Sequence, residues 1–217
     1  MRTIHLFASF LIGLPTLSQA EVELGLYGGL QGARPSDVTF EGDSVIPDAD
    51  YTIGWDGRSL DAPFYYGLRA TYWASDTMGY GLDFTHAKIY PKDSDLPAGF
   101  DRLELSDGLN TLTANVYRRW PGAFHSGQVT PYIGAGLGVS VPYVEVEYDD
   151  SVTGGYQYTG PAAALIAGVS YDLTDRWGLF AEYKATYSQN TGDLETGGTV
   201  KTDIVTNAIN FGVSYTF

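Results

Sequence analysis

The stretch Val205-Thr206-Asn207-Ala208-Ile209-Asn210-Phe211-Gly212-Val213-Ser214-Tyr215-Thr216-Phe217 sets the reading of the whole chain. Val205, Ile209, Phe211, Val213, Tyr215 and Phe217 share one parity, broken only at Asn207. The other parity holds Thr206, Ala208, Asn210, Gly212, Ser214 and Thr216. Successive side chains of a strand point to opposite faces, so this pattern predicts a strand with one apolar face and one small, polar face. Seven other stretches repeat it. Leu179, Ala181, Tyr183, Ala185 and Tyr187 oppose Gly178, Phe180, Glu182, Lys184 and Thr186. Pro131, Ile133, Ala135, Leu137 and Val139 oppose Thr130, Tyr132, Gly134, Gly136 and Gly138. Leu165, Ala167, Val169 and Tyr171 oppose Ala164, Ile166, Gly168 and Ser170. The remaining four run through residues 24–31, 66–73, 80–85 and 112–116.

Composition agrees with an all-β chain. Seventeen Tyr and 27 Gly stand against two Met, and aromatics favour strands while Gly disfavours helices. With no cysteine, a disulfide framework, a Cys-ligated zinc and a thiol nucleophile are all excluded. The net charge of −14 speaks against a nucleic-acid partner, which needs a basic face. Residues 1–20 read as a secretory signal peptide: Arg2, an apolar run from Ile4 to Leu14, then Ser18-Gln19-Ala20 as a small-residue cleavage site. That apolar run is about half the roughly 20 residues a membrane anchor needs. The domain is then residues 21–217.

The two strand faces identify the surroundings. A soluble barrel of the lipocalin kind needs its apolar face inside, around a greasy ligand. Here the apolar face is continuous and ends in aromatics, while its opposite mixes Gly, Ala, Ser and Thr with isolated charges. That fits lipid outside and a narrow, side-chain-filled lumen. Backbone groups in lipid must be paired, so the sheet must close. The sequence therefore predicts an all-β, eight-stranded antiparallel up-and-down transmembrane β-barrel of the bacterial outer membrane. Short periplasmic turns are expected at 75–77, 121–128 and 174–176, and longer extracellular links at 32–63, 91–102, 149–155 and 189–202. The strands starting near Glu104 and Val129 exceed the roughly 9–11 residues needed to cross, so they are expected to rise into extracellular hairpins.

Within the lumen Glu23, Arg69, Asp83, Arg119, Glu182 and Lys184 are expected to pair, because an isolated buried charge is very unfavourable. Gly134, Gly136 and Gly138 sit at period two in a strand that no helix follows, so they relieve crowding and do not cradle phosphate. His125 falls in a periplasmic turn and is expected to be solvated. The first link is acidic, with Asp37, Glu41, Asp43, Asp48, Asp50, Asp56 and Asp61 against Arg58. Its plain reading is a solvated rim; its sharper reading is a carboxylate site for a divalent cation. His86 follows Phe84 on the outward parity, with Lys88 two residues later and Tyr90 beyond, at the height of lipid headgroups.

Phe217, preceded at alternate positions by Tyr215, Val213 and Phe211, resembles the signal that bacterial outer-membrane proteins present to their assembly machinery. The stretch Thr130-Pro131-Tyr132-Ile133-Gly134-Ala135-Gly136-Leu137-Gly138-Val139 is similar to a common strand of eight-stranded outer-membrane barrels. A narrower likeness rests on Gly54-Trp55-Asp56-Gly57-Arg58-Ser59, Tyr65-Tyr66-Gly67-Leu68-Arg69-Ala70, Asp83-Phe84-Thr85-His86-Ala87-Lys88 and Phe100-Asp101-Arg102-Leu103-Glu104. It continues through Asp107-Gly108-Leu109-Asn110, Thr159-Gly160-Pro161-Ala162, Glu182-Tyr183-Lys184-Ala185-Thr186-Tyr187-Ser188 and Thr206-Asn207-Ala208-Ile209-Asn210. Together these resemble the outer-membrane lipid A oxidases of rhizobia and their relatives, over nearly the whole mature chain except residues 32–50. The resemblance implies oxidation of the proximal glucosamine of lipid A to 2-aminogluconate with molecular oxygen.

Strand-top residues supply a candidate site. His86, Asp56, Asp107 and Glu182 are its catalytic candidates, with His86 as base and Asp56 and Asp107 as ligands for a carboxylate-held divalent cation. Trp55, Arg58, Lys88 and Asn110 are the substrate-binding candidates, Arg58 and Lys88 meeting the headgroup. The cofactor stays open, since no flavin or nicotinamide fingerprint and no His-rich metal site occurs. The expected partner is lipid A or lipopolysaccharide of the outer leaflet. The competing reading is a non-enzymatic barrel serving as envelope structure, adhesion surface or receptor. A deacylase or acyltransferase lacks the outward Ser/His pair it would need at a rim.

Overall fold

A computed structural model of the chain describes residues 21–124 and 127–217. The expected signal peptide, residues 1–20, and His125 lie outside the described residues. Among those described, the strands are β1 (Glu21–Ala33), β2 (Ser36–Glu41), β3 (Ala49–Ile53), β4 (Trp55–Asp56), β5 (Tyr66–Trp73), β6 (Met78–Pro91) and β7 (Phe100–Arg119). They continue as β8 (Val129–Ser140), β9 (Tyr143–Tyr148), β10 (Ser151–Tyr156), β11 (Gly160–Asp172), β12 (Trp177–Asp193) and β13 (Thr199–Thr216). Eight of them form a ring in the order β1, β5, β6, β7, β8, β11, β12, β13, all antiparallel, with β13 pairing back onto β1. This is the expected up-and-down barrel.

The register fixes its shape. Following partners from Tyr187 through Ala163, Leu137, Ala114, Leu82, Ala70, Leu24 and Tyr215 returns to β12 at Trp177, ten residues lower. A stagger of ten over eight strands sets a tilt of roughly 40° and a backbone radius of about 8 Å, taking ~3.3 Å per residue and ~4.7 Å between strands. Trp177 and Tyr187 then stand about 25 Å apart along the axis, the height of a lipid-facing band. Leu26, Leu68, Leu82, Ile133, Leu137, Leu165 and Phe211 point outward within that band and are exposed. Asn207, the break in the outward pattern, accepts a hydrogen bond from the Tyr183 hydroxyl.

Inside the band the lumen is polar and filled. Arg69 grips Glu182 through both terminal guanidinium nitrogens at 2.8 Å, and its Nε meets Asp83 Oδ2 at 2.8 Å. Lys184 pairs with the other Asp83 oxygen, which also accepts from the Tyr27 hydroxyl at 2.8 Å. Tyr132 and Asn210 donate to Glu182 at 2.6 and 3.1 Å. Two cations and two carboxylates thus neutralise one another, and the passage is blocked. Arg119 meets Glu21 at 3.5 Å near the periplasmic mouth.

Above the band the wall continues. β2 pairs with the top of β13 and with β3, β4 with β6, and β9 with both β7 and β10. The first link was expected to be loop, yet it contains β2, β3 and β4. The expected rise of the Val129 strand into an extracellular hairpin is met by β9 and β10, and the 189–202 link is drawn into strand at both ends. Both are hairpins, β9–β10 turning at Asp149 (φ 47°) and β12–β13 at residues 194–198. The physical reason is an inversion of faces. Here Val38, Phe40, Ile89, Val144, Val146, Val200 and Ile204 point inward and are buried, while charged residues point out. Phe40 and Tyr148 pack on Phe100 with ring centroids 4.9 and 4.8 Å away. The short connections at 74–77 and 173–176 match the expected periplasmic turns.

Candidate functional site

Outward parity on β6 carries Leu82, Phe84, His86, Lys88 and Tyr90 in turn. Its partner β7 bulges at this height: Ala87 faces Leu109 and Ile89 faces Leu105, so residues 106–108 have no opposite number. Gly108 makes the bulge possible, with φ at 122° and no Cβ where one would sit 2.6 Å from the His86 ring. His86 is 7% exposed; it stacks on Tyr66 (centroids 5.2 Å, 26° between planes) and places Nδ1 2.8 Å from Asn110 Oδ1. With a carbonyl oxygen as acceptor, Nδ1 carries the proton, and in the neutral ring this leaves the lone pair on Nε2. That Nε2 is buried and has no protein partner.

Lys88 is fully buried, and its Nζ donates to the Asp61 carbonyl at 2.8 Å. The Tyr90 ring lies 5.4 Å from that nitrogen, and Arg58 covers the same ring at 4.3 Å. Arg58 also reaches Asp93 at 3.8 Å, in solvent where such a pair contributes little. Asp56 is the register partner of Tyr90, so both project outward, and Asp56 is exposed. By the tilt and register of the barrel, His86 stands within about 3 Å of the height of Tyr187, at the edge of the lipid band.

The structure therefore joins His86 to Asn110 beside the bulge bearing Asp107, and gathers Arg58, Lys88 and Asp56 around Tyr90. Two candidates are placed elsewhere. Trp55 points into the extracellular core and donates Nε1 to Ser36 Oγ at 2.8 Å, because it neighbours the outward Asp56 in a strand. Glu182 lies on the lumen parity of β12, both oxygens occupied by Arg69, Tyr132 and Asn210. Grouping either with the rim is corrected by that alternation. Asp61 and Tyr66 were missed as members. Asp61 acts through a backbone carbonyl, which leaves no side-chain signal, whereas Tyr66 was readable as the outward residue at the top of β5.

The loop acids are mostly engaged with the loop itself. Asp37 accepts from Thr52, Asp50 from Thr39, and Asp48 from the Gly42 N–H. Asp43 accepts from Val45 and Ile46 N–H and from the Thr196 hydroxyl, each at 2.8 Å. Desolvation raises its pKa, but the Ile46, Val45 and Thr196 hydrogen bonds outweigh it and hold the carboxyl below its ordinary value. Among the described residues no three His, Asp or Glu side chains gather to hold a metal.

Comparison with known proteins follows the same outline. Residues 6–217 match the outer membrane protein beta-barrel domain family. An uncharacterised protein of Brucella abortus is 31% identical over 163 residues, 62% of this chain, and a Brucella suis protein matches equally. The chain spans only 55% of the length of those curated relatives. The crystal structure of Neisserial surface protein A superposes with a TM-score of 0.51 at 18% identity, over 91% of this chain and 97% of that one. The outer membrane protein OprG from Pseudomonas aeruginosa gives 0.54 at 13%, over 92% and 96%. At such identities the likeness is one of fold alone.

Proposed function

Since the chain belongs to the outer membrane protein beta-barrel domain family and resides in the outer membrane, we propose that it acts on lipid A of the outer leaflet as a lipid A oxidase-like enzyme. The reaction is two-electron oxidation of the proximal glucosamine at C1: its C1–H and anomeric O–H hydrogens pass to dioxygen, giving hydrogen peroxide and a lactone that water opens to 2-aminogluconate. The observation that carries this reading is the outward cluster at the lipid boundary, with the unpartnered Nε2 of His86 at its centre. A blocked lumen argues for work on the wall and against transport. In the proposed role His86 Nε2 takes the proton of the anomeric hydroxyl, and Asn110 holds the ring in the required tautomer. Arg58 binds the anionic headgroup, and Lys88 joins it once released from Asp61. Asp56 and Asp107 alone do not make a cation site, so no step is routed through a metal.

A second reading, a non-enzymatic envelope barrel with an adhesion or receptor surface, is favoured by the extracellular extension of the wall, whose inward face is lined by buried apolar side chains such as Val38, Phe40, Val144 and Val200. Under either reading Phe217, exposed and packed edge-on against Tyr215 at 4.9 Å, is the proposed contact for the assembly machinery. Mass spectrometry of lipid A from cells with and without the gene separates the readings. The oxidase reading predicts the gain of one oxygen atom, abolished by His86→Ala. Loss of an acyl chain would mean deacylation, and unchanged lipid A would favour the structural barrel.

A further inference from the structure

Outward parity should leave His86 and Lys88 open at the lipid boundary, yet both are buried. Part of the cover over Lys88 is the segment 57–65, which joins β4 to β5 and supplies the Asp61 carbonyl that meets Lys88 Nζ at 2.8 Å, whereas His86 is covered by Tyr66 and Asn110. The segment is pinned from behind. Gln31 donates its Nε2 to the Gly57 carbonyl at 2.9 Å, and its backbone N–H to Ser59 Oγ at 2.8 Å. The front of the segment has a different character. Leu60 and Phe64 are 73% and 60% exposed. Phe64 shares its parity with Tyr66 and Leu68, the lipid-facing line of β5, and stands two residues above Tyr66. Leu30, exposed on β1 above its last β5 partner Gly28, extends the same wall. These apolar side chains thus continue the lipid-facing surface at the upper edge of the band, where acyl chains meet headgroups.

We propose that segment 57–65 is a lipid-contacting cover: Leu60 and Phe64 seat among outer-leaflet acyl chains, and that contact holds the segment over Lys88. Opening it is chemically feasible for an oxygen-rich headgroup. A phosphate or carbonyl oxygen that takes Lys88 Nζ replaces the Asp61 carbonyl one for one, so no buried donor is left unsatisfied. Only the purpose of the cover rests on the proposed lipid A site; the membrane contact is read without any lipid A chemistry.

The chain has no cysteine, so single cysteines can carry an environment-sensitive fluorophore without background. Leu60→Cys and Phe64→Cys, labelled and inserted into phospholipid vesicles containing nitroxide-bearing acyl chains, should lose fluorescence as fully as Leu68→Cys. Asp93→Cys, on an exposed extracellular residue, should keep it. Labels at 60 and 64 that behave like the one at 93 would overturn the contact. A second arm reads the cover through the double variant Leu60→Ser/Phe64→Ser, whose sites are exposed and leave the core untouched. Acylation of Lys88 by a water-soluble amine reagent, located by peptide mass, should rise toward that of the exposed Lys201. Unchanged protection of Lys88 would overturn the claim that lipid contact holds the segment down. Quenching at 60 and 64 with unaltered lipid A would leave the cover standing and remove the oxidase reading.

Discussion

The membrane half and the extracellular half of this barrel are built from the same strands with opposite rules. On β12 the outward line runs Trp177, Leu179, Ala181, Tyr183, Ala185, Tyr187 and then turns to Gln189, Thr191 and Asp193. Inward, Glu182, Lys184 and Thr186 give way through Ser188 and Asn190 to Gly192 and the core residue Leu194. β13 switches at the same level, with Asn210 and Thr206 inside the band and Ile204 and Val200 inside the extension. Lipid demands an apolar exterior and permits a polar interior only if every charge is matched; water demands the reverse. At the level where the rules exchange, outward polar residues such as His86 and Lys88 become tolerable, and the candidate site lies there.

Single substitutions should do most damage in the lumen. Arg69→Met leaves Asp83 and Glu182 without their shared cation, and should remove about 3–5 kcal/mol from the whole barrel in a urea titration. Replacing Arg69, Asp83, Glu182 and Lys184 together with apolar residues of similar volume should lose much less, because no charge is orphaned. In the extracellular core, Ile89→Ala should cost about 2–5 kcal/mol through lost packing. The loss should be felt as faster hydrogen exchange in β2, β3 and β9, with the membrane ring unmoved; equal loosening of both halves would contradict their separate energetics.

Two smaller effects are expected, one at a lumen glycine and one at a loop carboxylate. A Cβ at Gly134 would lie 2.6 Å from the Tyr117 ring, so Gly134→Ala should lose about 1–3 kcal/mol in the same titration. Asp43 has a folded pKa below its ordinary 3.8, so its contribution is present above that value and fades as pH falls through the folded one. The protection of the Val45 and Ile46 amides, taken relative to intrinsic exchange at each pH, should therefore fall as the pH drops through the folded value, and Asp43→Asn should remove that dependence.

Legibility in the sequence followed the same division. Strands in lipid show uniform alternation, so the eight crossings, their order and the lumen charges could be read from parity. β2 escaped because its apolar residues, Val38 and Phe40, face inward between polar and charged neighbours and look like loop. The outward placement of His86, Lys88 and Asp56 was readable, whereas Glu182 needed its parity weighed above its neighbourhood in sequence. Nothing local announced the β7 bulge beyond Asp107-Gly108, nor the burial of Lys88 beneath a carbonyl from 27 residues earlier.

The exchange of interior and exterior at the rim is most directly tested by spin labels placed singly at every position of β12 from Trp177 to Asp193. Accessibility to oxygen, which partitions into lipid, and to a water-soluble nickel chelate reads the surroundings of each. Odd positions through 187 should favour oxygen and those from 189 should favour the chelate, while even positions stay shielded from both. Oxygen-dominated accessibility persisting at 189, 191 and 193, or a chelate signal at the lumen positions 182 and 184, would contradict the account.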